Sequence, residues 1–289
     1  MRGLGVKARA AARARWVKAA RGYIPGFIAG HPLLGRYARR ASVVFHGSTM
    51  LGVDDAGSDV DFWLLLPERD FRRLDRASPS RFYDVKIDGK NGHLNAESRE
   101  AFREAVRRCD LDAIAQLRYA EVVVDHDGFA GRLVRLARKP MRPAVRRAMF
   151  FFHYVEMRGE HRACPNPMAR GHSVAVLLSL TKVLGHAMRA ALVLDGRPYH
   201  YDKWLYRDAL GSPTGREVAR GVGRVMRLIS RGGLDPNVMR GPNPVNRELR
   251  RIRFDLIAAA ERRGIHDRWL REWWYFMDAA REAPRTVKW

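Results

Sequence analysis

Val43–Gly52, which reads VVFHGSTMLG, and Ser58–Leu66, which reads SDVDFWLLL, decide the fold of this chain. Each contains an apolar run typical of a buried β-strand, and the first run ends abruptly at Gly47. Side chains alternate between the two faces of a strand, so Asp59 and Asp61 are predicted to share one face. Two adjacent carboxylates repel each other unless a cation lies between them, and Mg²⁺ prefers such oxygen ligands.

Gly47 and Ser48 provide the second half of the predicted site. Glycine lets the backbone approach a ligand closely, and a serine can cap a short helix whose free amides face an anion. A phosphate-binding turn beside metal-binding carboxylates is typical of phosphoryl or nucleotidyl transfer. Gly-Ser alone is a common turn, and Asp-x-Asp alone often lines a surface strand. The two together favour a functional site.

The order and spacing of these residues resemble the signature of the polymerase-beta-type nucleotidyltransferase superfamily. The likeness covers Gly47-Ser48, Gly52 and the run Gly57-Ser58-Asp59-Val60-Asp61. In that family the Gly-Ser pair holds the triphosphate and the paired acids hold two metal ions. The resemblance therefore implies an enzyme in which Gly47 and Ser48 bind ATP or another NTP. It also implies that Asp59 and Asp61 are catalytic and hold two Mg²⁺ ions.

Residues 81–98 are predicted to form a β-hairpin that turns at Asp88-Gly89. Members of the family usually carry a third acid on a strand beside the aspartate pair, and this sequence departs from that pattern. Asp88 is the predicted third metal ligand, with Asp84 and His93 as alternatives. A histidine prefers softer ions than Mg²⁺. All three residues are equally compatible with a hairpin surface, which leaves open a catalytically silent nucleotide-binding module.

The composition describes a folded, strongly basic chain. Its 289 residues include 54 Lys and Arg against 31 Asp and Glu, for a net charge of +23, and 46% are apolar. Such a charge attracts anionic partners. Most of the excess is arginine in an Ala/Arg/Gly/Val-rich chain, a bias that genome composition alone can produce, so a nucleic-acid partner is an alternative that is not favoured.

Cys109 and Cys164 predict no disulfide framework. No uninterrupted apolar run reaches membrane-spanning length, and the expected location is the cytoplasm, without a membrane partner.

The pattern along the chain predicts an α+β protein of two domains. Residues 1–139 are expected to form a small mixed β-sheet nucleotidyltransferase domain, and residues 140–289 an α-helical bundle that closes over the site. Residues 1–22 predict a basic helix packed through Trp16 and Val17, followed by a loop at 23–35. Asp54 and Asp55 are expected to be solvated, and His46 to be a satisfied strand-end histidine.

The second half has helical periodicity throughout. Helices are predicted over 145–158, 172–194, 213–231 and 245–262, with 172–194 as the core helix of a bundle. The aromatic residues between Trp269 and Phe276 are interpreted as packing groups. This arrangement resembles the antibiotic nucleotidyltransferases, such as the kanamycin and lincosamide enzymes, which implies a small hydroxyl acceptor and a role in antibiotic resistance. An RNA or protein acceptor, as in toxin-type transferases, is the alternative, and a homodimer is compatible with the sequence.

Two residues of the second half have candidate roles through this resemblance. The kanamycin enzyme places a general base on the first bundle helix, which implies that role for Glu156. Its alternative is a solvated helix residue paired with a neighbour. Lys203, in a cluster with Tyr201 and Trp204, is a candidate ligand of the triphosphate. The alternative there is a helix start fixed by buried Tyr201 and Trp204.

Overall fold

The computed structural model describes residues 6–55, 57–78, 80–235, 243–272 and 287–289. They form two compact units, one ending at Lys139 and the other starting at Pro140. The predicted α+β class is confirmed, because the first unit contains a mixed sheet flanked by helices and the described part of the second unit is helical.

One mixed five-stranded sheet forms the centre of the described part of the first unit. Its strands are β1 (Ser42–His46), β2 (Val60–Leu66), β3 (Phe82–Ile87), β4 (Lys90–Ser98) and β5 (Glu121–Asp125), in the order β3-β4-β2-β1-β5. β2 and β4 are parallel, and the other neighbours are antiparallel. The end of β1 therefore lies beside the starts of β2 and β4, at one end of the sheet.

Six helices accompany this sheet in the described residues. They are α1 (Val6–Gly30), α2 (Gly47–Leu51), α3 (Glu68–Ala77), α4 (Arg99–Arg107), α5 (Leu111–Tyr119) and α6 (Phe129–Ala137). One face of β2, formed by Val60, Phe62, Leu64 and Leu66, is buried in a core that also contains residues of α1. The alternating pattern of β2 thus assigns these four residues to this core, and Asp61 to the opposite face with the buried Trp63 and Leu65.

The first helix is longer than the sequence predicts. A loop was expected from Tyr23, yet α1 continues through Pro25 to Gly30. Proline inside a helix costs about 3 kcal/mol. Ile24 and Ile28 are 0% and 2% exposed in the core, and burying each contributes about 1.5–3 kcal/mol. Burial of these two side chains therefore offsets the proline. Trp16 is also buried, which confirms that the basic helix packs on the sheet.

A buried arginine joins the far ends of several elements of the first unit. Arg99, the first residue of α4, donates hydrogen bonds to the carbonyls of Leu65 (3.3 Å) and Arg40 (2.7 Å). It also donates to the Ser42 hydroxyl at 2.8 Å and to the Asp127 carboxylate at 2.5 Å. A buried charge needs such partners. Arg99 therefore fixes β1, β2 and the turn before α6 at one end of the sheet. Residues 47–61, which resemble the nucleotidyltransferase signature, lie at the opposite end.

The second unit is helical in its described residues. Its helices are α7 (Pro143–Ala163), α8 (Pro165–Ala169), α9 (Ser173–Leu194), α10 (Asp202–Leu210), α11 (Pro213–Leu228), which continues into a π-helical turn (Ile229–Gly233), and α12 (Pro244–Glu261). Among the described residues, α9 is the one helix long and apolar enough to cross a membrane by length and composition. Because 61% of its apolar window is buried within the protein, α9 has the character of the predicted core helix.

The aromatic tail is described only in part. The Trp269 ring contacts Phe151 edge-on, with 4.7 Å between the ring centroids, and it also lies beside Phe150 and Tyr154. These contacts agree with the packing role predicted for the tail aromatics. Residues 273–286, which include the other predicted packing aromatics, lie outside the described residues.

Candidate active site

The motif lies at the sheet end where β1 stops and β2 starts. β1 ends at His46, and the chain enters α2 at Gly47. β2 begins at Val60, so Asp61 lies within the strand whereas Asp59 lies one residue before it. The sequence predicts both aspartates on one face of a strand. In the structure only Asp61 lies in β2, and Asp59 belongs to the preceding loop. In the strand pairing, Asp61 is opposite His46 of β1 on one side and opposite His93 of β4 on the other.

Gly47 brings the backbone against the Asp61 carboxylate. Its φ of +80° is in the left-handed region that favours glycine. A Cβ atom at this position would lie 2.3 Å from Asp61 Oδ2. Both observations exclude a larger residue at position 47. The next residues, Ser48 and Thr49, are buried in α2, which ends at Gly52 in a left-handed conformation.

His93 is the nearest titratable neighbour of the aspartate pair on β4. Its Nε2 lies 3.7 Å from Asp59 Oδ2, and its Nδ1 lies 3.3 Å from Asp84 Oδ1. The Asp59 and Asp84 side chains are 50% and 94% exposed. Solvent screens ion pairs this exposed, and they contribute little stability. The cluster is therefore open to a ligand, and its members do not depend on one another for folding.

Asp88 is not at the position that the sequence predicts for the third metal ligand. It lies in the turn between β3 and β4 with a φ of +48°, whereas Asp84 is the residue paired with His93. Four residues of a strand span about 13 Å, so Asp88 is well separated from Asp84 along the hairpin. The tight turn sets this register. It places His93 beside Asp59, and Asp84 beside His93.

The loop that delivers Asp59 is fixed by residues expected to be merely solvated. The Asp55 carboxylate accepts hydrogen bonds from the Ser58 hydroxyl (2.9 Å) and the Gly57 amide (3.1 Å). The Ser58 hydroxyl holds the pKa of Asp55 below its usual value. Lys90 reaches from β4 to Asp54 Oδ2 at 3.4 Å. Aspartate, glycine and serine are common turn residues, and aspartate and serine side chains form local hydrogen bonds of this kind.

His46 supports the start of the turn as a neutral ring. It stacks on Trp63 with 3.7 Å between the ring centroids. Burial lowers the pKa of His46 to about 3, against an opposing hydrogen bond with Gln116. Its buried Nδ1 has no hydrogen-bond partner in the part of the chain that the structure describes, so the expectation of a fully satisfied histidine is wrong.

The donor set suits a metal that arrives with a phosphate ligand. Within residues 6–55, 57–78, 80–235, 243–272 and 287–289, no three His, Cys, Asp or Glu side chains converge closely enough to hold a metal by themselves. Mg²⁺ commonly binds one or two carboxylates and takes its other ligands from water and substrate phosphates. Asp61 beside the Gly47 backbone, with Asp59 near His93, fits that mode.

The two candidates of the second half lie in the helical unit. Glu156 is half-buried on α7, and its charge contributes to the raised pKa of Lys182 on α9, which is due mainly to a hydrogen bond with Glu160. Lys203 is exposed as the second residue of α10, with its ammonium 5.1 Å from the centroid of the Trp204 ring. Tyr201 is 46% exposed, so the expectation of a helix start fixed by buried Tyr201 is wrong.

Comparison with known proteins adds a likeness of architecture. No protein-family model matches this chain, and no curated protein matches its sequence. Among solved structures, the chain is similar to a nucleotidyltransferase-like protein from Exiguobacterium sibiricum 255-15. The identity is 8% and the TM-score 0.47, over 86% of this chain and 75% of that chain. Such low similarity carries no weight for function, which rests on the residues of the site.

Proposed function

We propose that this protein is a metal-dependent nucleotidyltransferase that moves a nucleoside monophosphate from an NTP to a hydroxyl acceptor. The observation that supports the proposal best is the approach of the Gly47 backbone to the Asp61 carboxylate at one end of the sheet. A backbone turn able to cradle phosphates thereby lies beside a carboxylate able to hold their metal. Asp59 and His93 lie 3.7 Å apart at the same end of the sheet.

Each residue has a distinct part in the proposed reaction. Gly47 and Ser48 bind the β- and γ-phosphates, and Asp59 and Asp61 hold the divalent ions. When bound, the ions neutralise the phosphates and activate the acceptor oxygen. That oxygen attacks the α-phosphorus, the bond to the β-phosphate oxygen breaks, and pyrophosphate leaves with the bonding electrons. The acceptor proton passes to a general base, for which Glu156 is proposed on the family resemblance. Lys203 is proposed as a further triphosphate ligand on the same ground.

The acceptor is proposed to be a small molecule, and one observation favours RNA as the second candidate. Arg216, Arg220 and Arg227 are all exposed on α11, at spacings of four and seven residues. Such spacings place side chains on one side of a helix. A row of arginines can contact successive phosphates of a strand, and binding of that kind weakens steeply with salt.

Transfer of label tests the function directly. The full-length protein is incubated with each α-labelled NTP and Mg²⁺, alone, with a panel of aminoglycosides and lincosamides, and with bulk tRNA over a salt series. Labelled drug with stoichiometric pyrophosphate supports the small acceptor. Labelled tRNA or self-labelled protein supports the alternatives. An NTP that binds and releases no pyrophosphate under any condition contradicts the enzyme and identifies a nucleotide-binding module.

The identity of residue 93 is expected to set the metal preference. Imidazole is a good ligand for Ni²⁺, whereas a carboxylate suits Mg²⁺. His93→Asp should therefore shift the ratio of Mg²⁺- to Ni²⁺-supported turnover toward Mg²⁺ by roughly tenfold. Turnover is measured with each ion for the wild type and the variant, with Asp84→Asn as a control that changes charge beside His93. An unchanged ratio in His93→Asp excludes residue 93 from the metal site.

Glu156→Gln tests the proposed general base. Glutamine keeps the shape of the side chain and removes its ability to take a proton, so NTP affinity should persist while turnover falls by roughly a hundredfold or more. Glu160→Gln is the matched control, because Glu160 lies one helical turn away and is paired with Lys182. Wild-type turnover in Glu156→Gln across the pH range removes Glu156 from the reaction.

A further inference from the structure

A cavity of about 660 Å³ lies within the helical unit, among residues of α9, α10 and α11. We call it the α9–α11 cavity. Much of its wall is apolar, with Leu184, Met188, Leu205 and Val222 among the lining residues. Its volume is within the range of small-molecule binding sites, which combine an apolar wall with a few polar groups. No step of the proposed transfer reaction uses it.

Two glycines inside helices keep the cavity open. Gly185 of α9 and Gly223 of α11 both line it, and neither has a positive φ that would require glycine. A Cβ at Gly223 would lie 3.5 Å from the Tyr206 hydroxyl, and one at Gly185 would lie 3.0 Å from Arg189 Nη1. Glycine destabilises a helix interior relative to alanine. What these glycines provide is space next to Tyr206 and Arg189.

Three basic residues of α9 line the cavity together with the apolar wall. Lys182, His186 and Arg189 are spaced by four and three residues, so they lie on one side of the helix. His186 Nδ1 is 3.0 Å from His153 Nδ1, and His153 Nε2 is 2.6 Å from the Tyr199 hydroxyl. This chain of hydrogen bonds fixes the His186 ring at the cavity wall.

Arg189 forms an ion pair with the Asp202 carboxylate, which an acidic ligand could replace. Its side chain is only 20% exposed, and it pairs at 2.5 Å with Asp202, whose side chain is 83% exposed. A half-buried guanidinium favours an anionic partner, whereas a solvated carboxylate gives up such a pair at little cost. Asp202 is also the first residue of α10 and itself lines the cavity. An incoming acid can therefore take its place on Arg189.

We propose that the α9–α11 cavity binds a small amphipathic organic acid, with its apolar body against Leu184, Met188, Leu205 and Val222 and its acidic group on Arg189 in place of Asp202. The Tyr206 hydroxyl and His186 offer hydrogen bonds, and Lys182, which is paired with Glu160 at 2.9 Å, lies on the same side of α9. The inference rests on the helical unit alone. It therefore holds or fails independently of the transfer reaction.

Two dyes that differ only in charge test the proposal on the full-length protein. 8-Anilinonaphthalene-1-sulfonate carries an acidic group, and N-phenyl-1-naphthylamine has the same aromatic body without it. Fluorescence titration should give saturable binding of both, with the sulfonate bound more tightly. Arg189→Gln is expected to weaken the sulfonate about tenfold or more and the neutral dye less than about twofold. Asp202→Asn should strengthen the sulfonate by about threefold, because it removes the competing carboxylate.

Filling the cavity separates this site from other apolar surface. Gly223→Leu should abolish binding of both dyes, while Gly159→Leu, at a helical glycine with open space around it, should leave both unchanged. Circular dichroism confirms that each variant is folded. Retained binding in Gly223→Leu, equal weakening of both dyes by Arg189→Gln, or weaker sulfonate binding in Asp202→Asn would each overturn the proposal.

Discussion

Asp61→Asn is expected to abolish nucleotidyl transfer while the fold persists, and Asp59→Asn should do the same. Asparagine keeps the shape of aspartate but removes the charge that holds a divalent ion. Metal ions contribute several kcal/mol of transition-state stabilisation, so turnover should fall by at least about a thousandfold. Asp59 is half-exposed and Asp61 is partly buried, which leads us to expect a change in unfolding free energy within about 1 kcal/mol.

Asp88→Asn is the matched control for these two variants. It makes the same chemical change in the same domain, and asparagine tolerates the positive φ of position 88. Turnover should remain at the wild-type level, because Asp88 lies in the hairpin turn. Full activity in Asp61→Asn would remove the paired acids from the mechanism. A loss in Asp88→Asn as large as that in Asp61→Asn would restore the ligand that the sequence alone predicts.

The protein is expected to lose several kcal/mol of stability between pH 6.5 and pH 5. Burial is the main cause that lowers the pKa of four histidines. The pKa falls to about 3 for His46, to about 4 for His161 and His186, and well below the usual value for His153. Arg189 lowers the pKa of His186 further.

The direction of this effect follows from proton uptake on unfolding. These histidines have lower pKa values in the folded state than the usual 6.5, so the unfolded chain binds more protons. Their contribution is complete above pH 6.5 and is lost as the pH falls toward the folded values. His161, which is 6% exposed, alone accounts for about 2 kcal/mol at pH 5. The other three histidines act in the same direction, because burial lowers their pKa values as well.

Carboxylates with shifted pKa values change the stability mainly outside the range from pH 6.5 to pH 5, or change it in the opposite direction. Two arginine hydrogen bonds lower the pKa of Glu104 to about 2, so its contribution disappears only at more acidic pH. Burial raises the pKa values of Glu97 and Asp255, which adds some stability as the pH falls. A loss of stability between pH 6.5 and pH 5 is therefore due to proton uptake by the histidines on unfolding.

Urea unfolding followed by circular dichroism at several pH values measures this loss. His161→Gln can keep a hydrogen bond to Asn246 and does not titrate, so its stability should fall by about 2 kcal/mol less than that of the wild type between pH 6.5 and pH 5. His266→Gln, at an exposed histidine, is the control and should follow the wild type. A wild-type protein equally stable at pH 7 and pH 5 would contradict the prediction.

Part of the candidate site could be predicted from local sequence. Gly47 and Asp61 were identified because a glycine after an apolar run and an acid in a strand pattern act through near neighbours in the chain. The hairpin at 81–98 was predicted correctly for the same reason, from alternation and turn residues. For the residue beside the aspartate pair, the sequence favoured Asp88 and left His93 and Asp84 only as alternatives. His93 reaches Asp59 through the parallel pairing of β2 with β4, which brings together residues more than thirty positions apart.

The sequence by itself determined the elements whose signals are local, including the basic first helix, the two motif strands and the apolar core helix α9. Only the tertiary structure decided that α1 continues through Pro25, that Asp55 and Lys90 fix the loop before Asp59, and that Gly223 opens a cavity. The physical reason is that these outcomes depend on contacts between distant segments. Burial of Ile24 and Ile28 outweighs the helix propensity of proline, and strand register decides which polar groups meet.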